Sequence, residues 1–182
     1  MMIIKSPFNG TIPKIHSTSF VALDVVIIGD VEIGAYTNIW FGAKLRGDWG
    51  KIIVGQNTSI QDNAVLHSRP NEVCKIGNNV RLGHSCMCHG PCIIGDYSLV
   101  GIQATVLDGA KLGTGSVLAG GSVLKAKTED FSLYAGIPAT KKKGYPNKNL
   151  NEFSSNLYVE NGQKFKKAGY GLKIPEEYLI ND

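Results

Sequence analysis

Residues 76–124 read IGNNVRLGHSCMCHGPCIIGDYSLVGIQATVLDGAKLGTGSVLAGGSVL, and a period of six residues runs through the whole segment. A large aliphatic residue, with Cys88 as the exception, begins each hexad, and a small or β-branched residue follows four positions later. One large and one small inward side chain per hexad are typical of a hexapeptide β-helix, in which each hexad forms one side of a coil. The period therefore predicts an all-β protein built as a parallel β-helix.

The same register continues upstream of residue 76 with Val21, Ile27, Ile33, Ile39, Leu45, Val54, Ile60 and Leu66. Extra residues interrupt it at 47–53 and at 68–75, and the glycine, proline and asparagine of these two stretches predict loops. The register gives about seventeen hexads, or between five and six triangular coils. A sandwich or barrel of short strands is the alternative, but its turn signals would have no fixed phase. We therefore expect one β-helix domain over residues 1–145.

Residues 146–182 are expected to form a C-terminal helix and tail, not an independent domain. Leu150, Phe153, Leu157 and Phe165 recur at roughly helical spacing, which predicts an α-helix over residues 149–167 that packs on the outside of the coil. The net charge of +4 is modest. Because the lysines concentrate in the tail without aromatic interleaving, a solvated tail is favoured over a nucleic-acid surface.

The N-terminus and the cysteines predict a cytoplasmic protein. Residues 1–8 lack the apolar core of a signal peptide, and no run approaches transmembrane length. Cys86 and Cys92 fall on the small inward position and Cys88 on the large one, where a free thiol acts as a compact apolar side chain. A thiolate metal site in residues 84–92 is the alternative, but side chains that alternate between the two sides of a wall cannot converge on one ion.

Three of the four histidines fall on two columns of the predicted coil. Residues three hexads apart lie above one another on the same face. Counting hexads gives a first column with Arg46, His67 and His89 and a second column with Asp62 and His84, with Gln61 beside it. His16 lies before the predicted coil and receives no role. The alternative for each histidine is a polar residue merely tolerated on the wall, but three in register with complementary charges favour a metal site.

The two columns predict a metal site shared between subunits. His67 and His89, one coil apart with about 5 Å between their backbones, can supply two ligands of one ion. His84 lies around a corner, so a head-to-tail interface that closes as a trimer would bring it to the pair of the next subunit. Three neutral histidines leave one tetrahedral position open, as in a catalytic zinc site. Docking would also place Arg46 opposite Asp62, a pair able to hold the interface.

Three segments carry a family resemblance: LRGDW at 45–49, SIQDNAVLH at 59–67 and GHSCMCHG at 83–90. They resemble the γ-class carbonic anhydrases, and the likeness runs from about Pro7 to Thr140, including GIPA at 136–139. The resemblance implies a left-handed coil, a homotrimer with zinc, or iron or cobalt, at the subunit interfaces, and hydration of CO2 to bicarbonate by a metal-activated water.

The resemblance also implies roles for individual residues. His67, His84 and His89 would be the metal ligands. Gln61 would hydrogen-bond the metal-bound water, Arg46 and Asp62 would form the intersubunit pair, and Asp48 would support that network.

The chain departs from the archetypal enzyme at the stretch 68–75. This stretch stands where the archetype carries an acidic loop with a proton-shuttling glutamate, but it is short and offers only Glu72; Tyr134 is the other candidate for proton transfer. Ser59 stands where the archetype has asparagine. The pattern is similar to shorter family members that lack the loop.

Three other functions stay open. A hexapeptide acyltransferase would use one histidine to deprotonate the acceptor beside an acyl-CoA. An acyl-CoA thioesterase-like hydrolase would direct the same metal-activated water at a thioester. A metal-stabilised scaffold subunit would have no activity.

Overall fold

The computed structural model describes residues 3–146 and 148–181 and shows a parallel β-helix followed by one α-helix, as the hexad period predicts. The coil is left-handed, as the resemblance implies. In chain order its elements are β1 (Ile3–Ile4), β2 (Lys14–His16), β3 (Phe20–Val21), β4 (Val26–Ile33), β5 (Asn38–Ile39), β6 (Lys44–Val54), β7 (Ser59–Ile60), β8 (Val65–Ser68), β9 (Val73–Ile76), β10 (Arg81–Leu82), β11 (Met87–Gly90), β12 (Cys92–Ile94), β13 (Leu99–Val100), β14 (Thr105–Val106), β15 (Lys111–Leu112), β16 (Val117–Leu118), β17 (Val123–Leu124), β18 (Ser132–Gly136), β19 (Ala139–Gly144), α1 (Lys148–Lys167), a 3-10 turn (Glu176–Tyr178) and β20 (Leu179–Ile180).

The strands stack into three faces. The first face contains β1, β8, β11, β14, β17 and the first halves of β4 and β6; the second contains β2, β9, β12, β15 and the second halves of β4 and β6; the third contains β3, β5, β7, β10, β13, β16 and β18. Strands one turn apart pair in parallel, so that Leu45 lies beside Leu66 and Leu66 beside Cys88. These inward residues form one continuous buried core.

The coil has about seven turns, more than the five to six predicted. A first turn precedes the predicted register: Ile3 pairs with Ile27, and Ile15 with Ile33. The sequence did not reveal it because a polar loop separates its two strands and no glycine follows Ile15. His16 therefore lies within the coil, not before it, and is buried with its Nδ1 2.8 Å from Thr18 Oγ1.

One of the two predicted loops is strand. β6 runs unbroken through residues 47–53, and its pairing with β4 shifts register between Gly29 and Val31. At Gly47 the two backbones are so close that a Cβ atom would lie 2.6 Å from the Asp30 carbonyl oxygen. The glycine here serves a tight backbone contact and does not end the strand. The stretch 68–75 does contain a turn, between β8 and β9.

One strand edge at each end of the coil is covered by a neighbouring strand. At the first turn β20 pairs in parallel with β2, through Ile15 with Leu179 and His16 with Ile180. At the last turn β19 folds back antiparallel on β18. The outer edges of β2 and β18 are therefore paired.

Helix α1 confirms the predicted helix and its packing on the coil, but of the four residues of the predicted packing face only Phe165 contacts the core. Leu150, Phe153 and Leu157 are 52%, 62% and 49% exposed. The helix lies on β3, β5 and β7, where Gly162 and Phe165 contact the coil. Two buried polar side chains also face the coil: Asn151 donates a hydrogen bond to the Tyr97 carbonyl oxygen at 2.7 Å, and Ser155 donates one to the Asn57 carbonyl oxygen at 2.5 Å. Corner carbonyls need donors once a helix excludes water. A hydrophobic pattern cannot detect that need.

All four cysteines are free and buried, which confirms the inward placement of Cys86, Cys88 and Cys92. Cys74 is buried as well and pairs in the wall with Cys92, with 3.5 Å between the two sulfur atoms. A hydrogen bond with the Cys92 thiol, and then burial, raise the pKa of Cys74. A hydrogen bond with the Cys86 thiol, and then burial, raise the pKa of Cys88. These thiols are protonated packing residues at neutral pH. Among the described residues, no helix is long and apolar enough to cross a membrane.

The close contact of Gly162 gives a test of the helix position. Alanine at an exposed helical glycine should add about 1 kcal/mol of stability, but a Cβ atom here would lie 2.8 Å from Asn38 Cβ. We therefore expect Gly162→Ala to lower the free energy of unfolding by about 1 to 3 kcal/mol, measured by denaturant titration. Asn161→Ala, on the exposed side of the same helix, is the control and should be neutral or slightly stabilising. A stabilised Gly162→Ala protein would contradict the packing.

The cysteine placement gives a second test. The native protein should react slowly with a thiol reagent, whereas the denatured protein should label all four cysteines at once, because only unfolding exposes them. Cys86→Ala and Cys92→Ala should keep the metal content of the wild type, measured by elemental analysis. Loss of metal from either folded variant would instead support the thiolate site.

Candidate metal centre

The first predicted column is present on the first face. Leu45, Leu66 and Cys88 point inward, so the residue after each points outward. Arg46 pairs with His67 across β6 and β8, and His67 pairs with His89 across β8 and β11. The two imidazoles therefore lie on successive strands, with His67 Nδ1 3.1 Å from His89 Nε2 and 5.1 Å between ring centroids.

The histidine pair fits two ligands of one ion. Two nitrogens bound to a tetrahedral zinc at about 2.0 to 2.1 Å lie about 3.4 Å apart, close to the separation observed. Burial, and then the positive charge of Arg46, lower the pKa of His67, which keeps this imidazole neutral, as a metal ligand must be. His67 Nε2 is a buried atom with no hydrogen-bond partner among the described residues. The separation of His67 Nδ1 and His89 Nε2 therefore suits two nitrogen ligands of one zinc ion.

The second predicted column is also present, at the corner that follows the third face. Ser59 and Ile60 of β7 pair with Arg81 and Leu82 of β10, and the corner residues that follow stack in the same way. His84 Nδ1 lies 2.9 Å from Asp62 Oδ2. Gln61 is buried beside them, and its backbone N–H donates to the Leu82 carbonyl oxygen at 2.9 Å.

The chain does not bring the two columns together. Within residues 3–146 and 148–181, no three histidine, cysteine or acidic side chains are grouped closely enough to hold a metal ion. His84 is thus apart from His67 and His89, as the prediction of two columns requires. A three-histidine site needs a second copy of the chain.

Asp48 connects Arg46 to the histidine pair. Arg46 Nη1 donates to Asp48 Oδ2 at 2.7 Å, and Asp48 Oδ1 lies 3.4 Å from His67 Nε2 without the alignment of a hydrogen bond. Burial alone would raise the pKa of Asp48, but the hydrogen bond and charge of Arg46 and the backbone N–H of Trp49 outweigh it and lower the pKa. Arg46 therefore has an anionic partner within its own chain. Its pairing with Asp62 of a neighbour stays a prediction.

Two residues that the sequence did not single out extend the site beyond His89. Asp108 Oδ1 accepts a hydrogen bond from His89 Nδ1, and Asp108 Oδ2 lies 3.3 Å from Arg69 Nη1. The hydrogen bond from His89 is the largest cause of the lowered pKa of Asp108. Strand β14 pairs with β11 through Cys88 and Val106. A search of the residues that follow β14 could therefore have indicated Asp108 from the sequence. The next position of this column by hexad count is Leu107, one residue before Asp108.

The six side chains form one line across the first face, which we call the polar chain: Arg46, Asp48, His67, His89, Asp108 and Arg69. Each histidine has a carboxylate on its far side, and each carboxylate has an arginine beyond it. The charges of the two arginines and two aspartates balance. The histidine pair is thus flanked on both sides by carboxylates whose negative charges are balanced by arginines.

The surface beside the polar chain is apolar. An open cavity of about 370 Å³ contains Arg46, His67 and His89 together with Val26, Ile28, Val65 and Met87. These four apolar side chains are partly exposed, and an apolar surface around a ligand pair is typical of one that another protein chain covers.

Comparison with known proteins identifies similar chains. Carnitine operon protein CaiE of Escherichia coli (strain K12) is 40% identical over 134 residues, which cover 72% of this chain and 68% of CaiE. Gamma carbonic anhydrase 2, mitochondrial, of Arabidopsis thaliana is 39% identical over 135 residues, which cover 70% of this chain and 48% of that protein. No family model matches the chain.

Two solved structures are similar over nearly their whole length. A putative acetyltransferase of Bacillus cereus superposes with a TM-score of 0.87 at 32% identity, covering 92% of this chain and 98% of that one. A hexapeptide transferase family protein from Anaplasma phagocytophilum gives a TM-score of 0.84 at 36% identity, covering 90% and 98%.

Proposed function

We propose a zinc-dependent hydration of CO2 to bicarbonate for this chain, which belongs to the γ-class carbonic anhydrase-like family of hexapeptide-repeat proteins. One observation carries the proposal. Two imidazole nitrogens, His67 Nδ1 and His89 Nε2, face each other at 3.1 Å on successive strands, while a third histidine lies on a separate column. Iron or cobalt could replace zinc at such a site.

The active form in this proposal is a homotrimer. His67 and His89 of one subunit would meet His84 of the next, and Arg46 would meet Asp62 across the same interface. The apolar side chains of Ile28, Val65 and Met87 beside the histidine pair support burial of this face by a second copy. A cytoplasmic location stays a prediction.

The proposal assigns each side chain a task. A zinc ion at the site would lower the pKa of a water molecule toward 7 and so supply the nucleophile. Burial keeps His67 neutral and able to bind a cation. Gln61 would orient the attacking water through its side-chain amide. Asp48 holds Arg46 beside His67.

Proton export is expected to be slow because neither shuttle candidate faces the site. Glu72 lines a cavity on the second face together with Ile53 and Lys75. Tyr134 is buried in the last turn, where its hydroxyl accepts the backbone N–H of Glu129 at 3.1 Å. A soluble buffer would have to take the proton instead.

Acyl transfer from an acyl-CoA to an acceptor, or hydrolysis of an acyl-CoA, is the second candidate. It is supported by the two similar structures, which are named as transferases. Metal distinguishes the candidates: an acyltransferase that uses one histidine as a base should keep its activity after zinc is removed, whereas a hydratase or metal-dependent thioesterase should lose it. A metal-loaded trimer without any of these activities would support the scaffold role.

The hydration proposal predicts a buffer effect. In stopped-flow assays at fixed pH, the zinc-loaded protein should hydrate CO2 faster as the concentration of a small imidazole buffer rises, because the buffer accepts the exported proton. His84→Ala, prepared and loaded in the same way, is the control for uncatalysed hydration. A rate independent of buffer concentration would contradict the absence of an internal shuttle.

The shared site predicts complementation between inactive variants. His84→Ala and His89→Ala should each lose zinc and activity as homotrimers, since every interface lacks one ligand. When the two are unfolded and reassembled together, about a quarter of the interfaces will join an intact histidine pair to an intact His84. Zinc content and any activity should return in that proportion.

The control mixture combines His67→Ala with His89→Ala. Both substitutions lie in the same column, so no interface can regain a complete pair. Recovery in this control, or no recovery in mixed trimers of the first kind, would contradict a site shared between subunits.

A further inference from the structure

The polar chain continues past His89 through two residues that neither the column count nor the family resemblance singles out. We propose that Asp108 is the positioning residue of His89: it holds the Nδ1–H of this imidazole, and Arg69 holds Asp108, so that Nε2 is offered to the metal. This inference rests on the proposed function, since it concerns how one ligand of that site is oriented.

The hydrogen-bond chemistry of the groups fixes the tautomer. An ionised carboxylate only accepts hydrogen bonds, and a neutral imidazole has one N–H. The nitrogen that faces Asp108 Oδ1, which is His89 Nδ1, must therefore carry the proton. The lone pair is left on Nε2, the atom that lies 3.1 Å from His67 Nδ1.

The opposite end of the polar chain reinforces this arrangement. Asp48 faces His67 Nε2 at 3.4 Å. A small movement that aligned Asp48 Oδ1 with an Nε2–H of His67 would leave the lone pairs of His67 Nδ1 and His89 Nε2 pointing at each other. A cation between them would satisfy both, so the two carboxylates together would favour metal binding at this position.

An alternative role for the Arg69–Asp108 pair is structural support of the turn between β8 and β9. The two side chains are 58% and 38% exposed, and an ion pair so exposed contributes little to stability. A purely structural role would therefore appear, if at all, in the free energy of unfolding. A positioning role would appear in the affinity for metal.

The experiment compares zinc affinity, measured by competition with a chromophoric chelator, in the wild type and four variants. Asp108→Ala should bind zinc about 10- to 100-fold more weakly. Asp108→Asn should lose less, because its amide oxygen still accepts the N–H. Arg69→Ala should also lose less than Asp108→Ala, since it acts only through Asp108. Glu72→Gln removes one carboxylate charge from the same turn, on the opposite side of it, and should bind zinc like the wild type.

A second readout needs no metal. In the metal-free protein, the ring 15N signals of His89 should show the Nδ1–H tautomer in the wild type and in Asp108→Asn, and a mixture of tautomers in Asp108→Ala. Because this measurement also reports on folding, a misfolded Asp108→Ala leaves Asp108→Asn and Arg69→Ala to decide the question.

The outcomes separate this inference from the proposed function. A wild type that binds no zinc overturns the proposed function, while the tautomer measurement still decides what Asp108 does. Zinc binding by the wild type with equal affinity in Asp108→Ala overturns the positioning role alone. An equally large loss of zinc affinity in Glu72→Gln would mean that any nearby negative charge has the same effect. That result would also overturn the positioning role of Asp108.

Discussion

Parallel pairing between residues three hexads apart sets the positions of all other groups in this protein. Adjacent strands of such a wall lie about 4.8 Å apart. A slip of one residue would move every inward side chain to the outside of the wall, so the buried core fixes the register. Two histidines separated by 22 residues are thereby held with ring nitrogens 3.1 Å apart. The rigid core, and not local interactions among the histidines, creates the pair.

The same rule explains which features were predictable from the sequence. The columns of Arg46, His67 and His89 and of Asp62 and His84 follow from counting alone, because inward and outward positions alternate strictly. Asp108 was missed because its side chain reaches back from one residue beyond the column, and side-chain direction at a strand end is not periodic. The packing face of α1 was predicted correctly only at Phe165, because its other contacts include hydrogen bonds from Asn151 and Ser155 to corner carbonyls.

The polar chain shows how the charges at the histidine pair are compensated. Arg46 and Arg69 lie at the two ends, each beside an aspartate, and the two imidazoles lie in the middle. Neither carboxylate has to serve as a ligand to be satisfied. The histidine pair can therefore bind a divalent cation through nitrogen atoms alone, without a carboxylate ligand. Such a donor set suits a borderline ion such as zinc better than calcium or magnesium, which prefer oxygen ligands.

The covered ends of the coil have a consequence for self-association. A stack of parallel strands with an open end is a template on which another copy can add its own strands, and repetition of that step gives a fibre. Here β20 occupies the edge of β2 and β19 occupies the edge of β18. Growth through these two edges is blocked, which favours association of copies side by side, where a closed ring has a finite size.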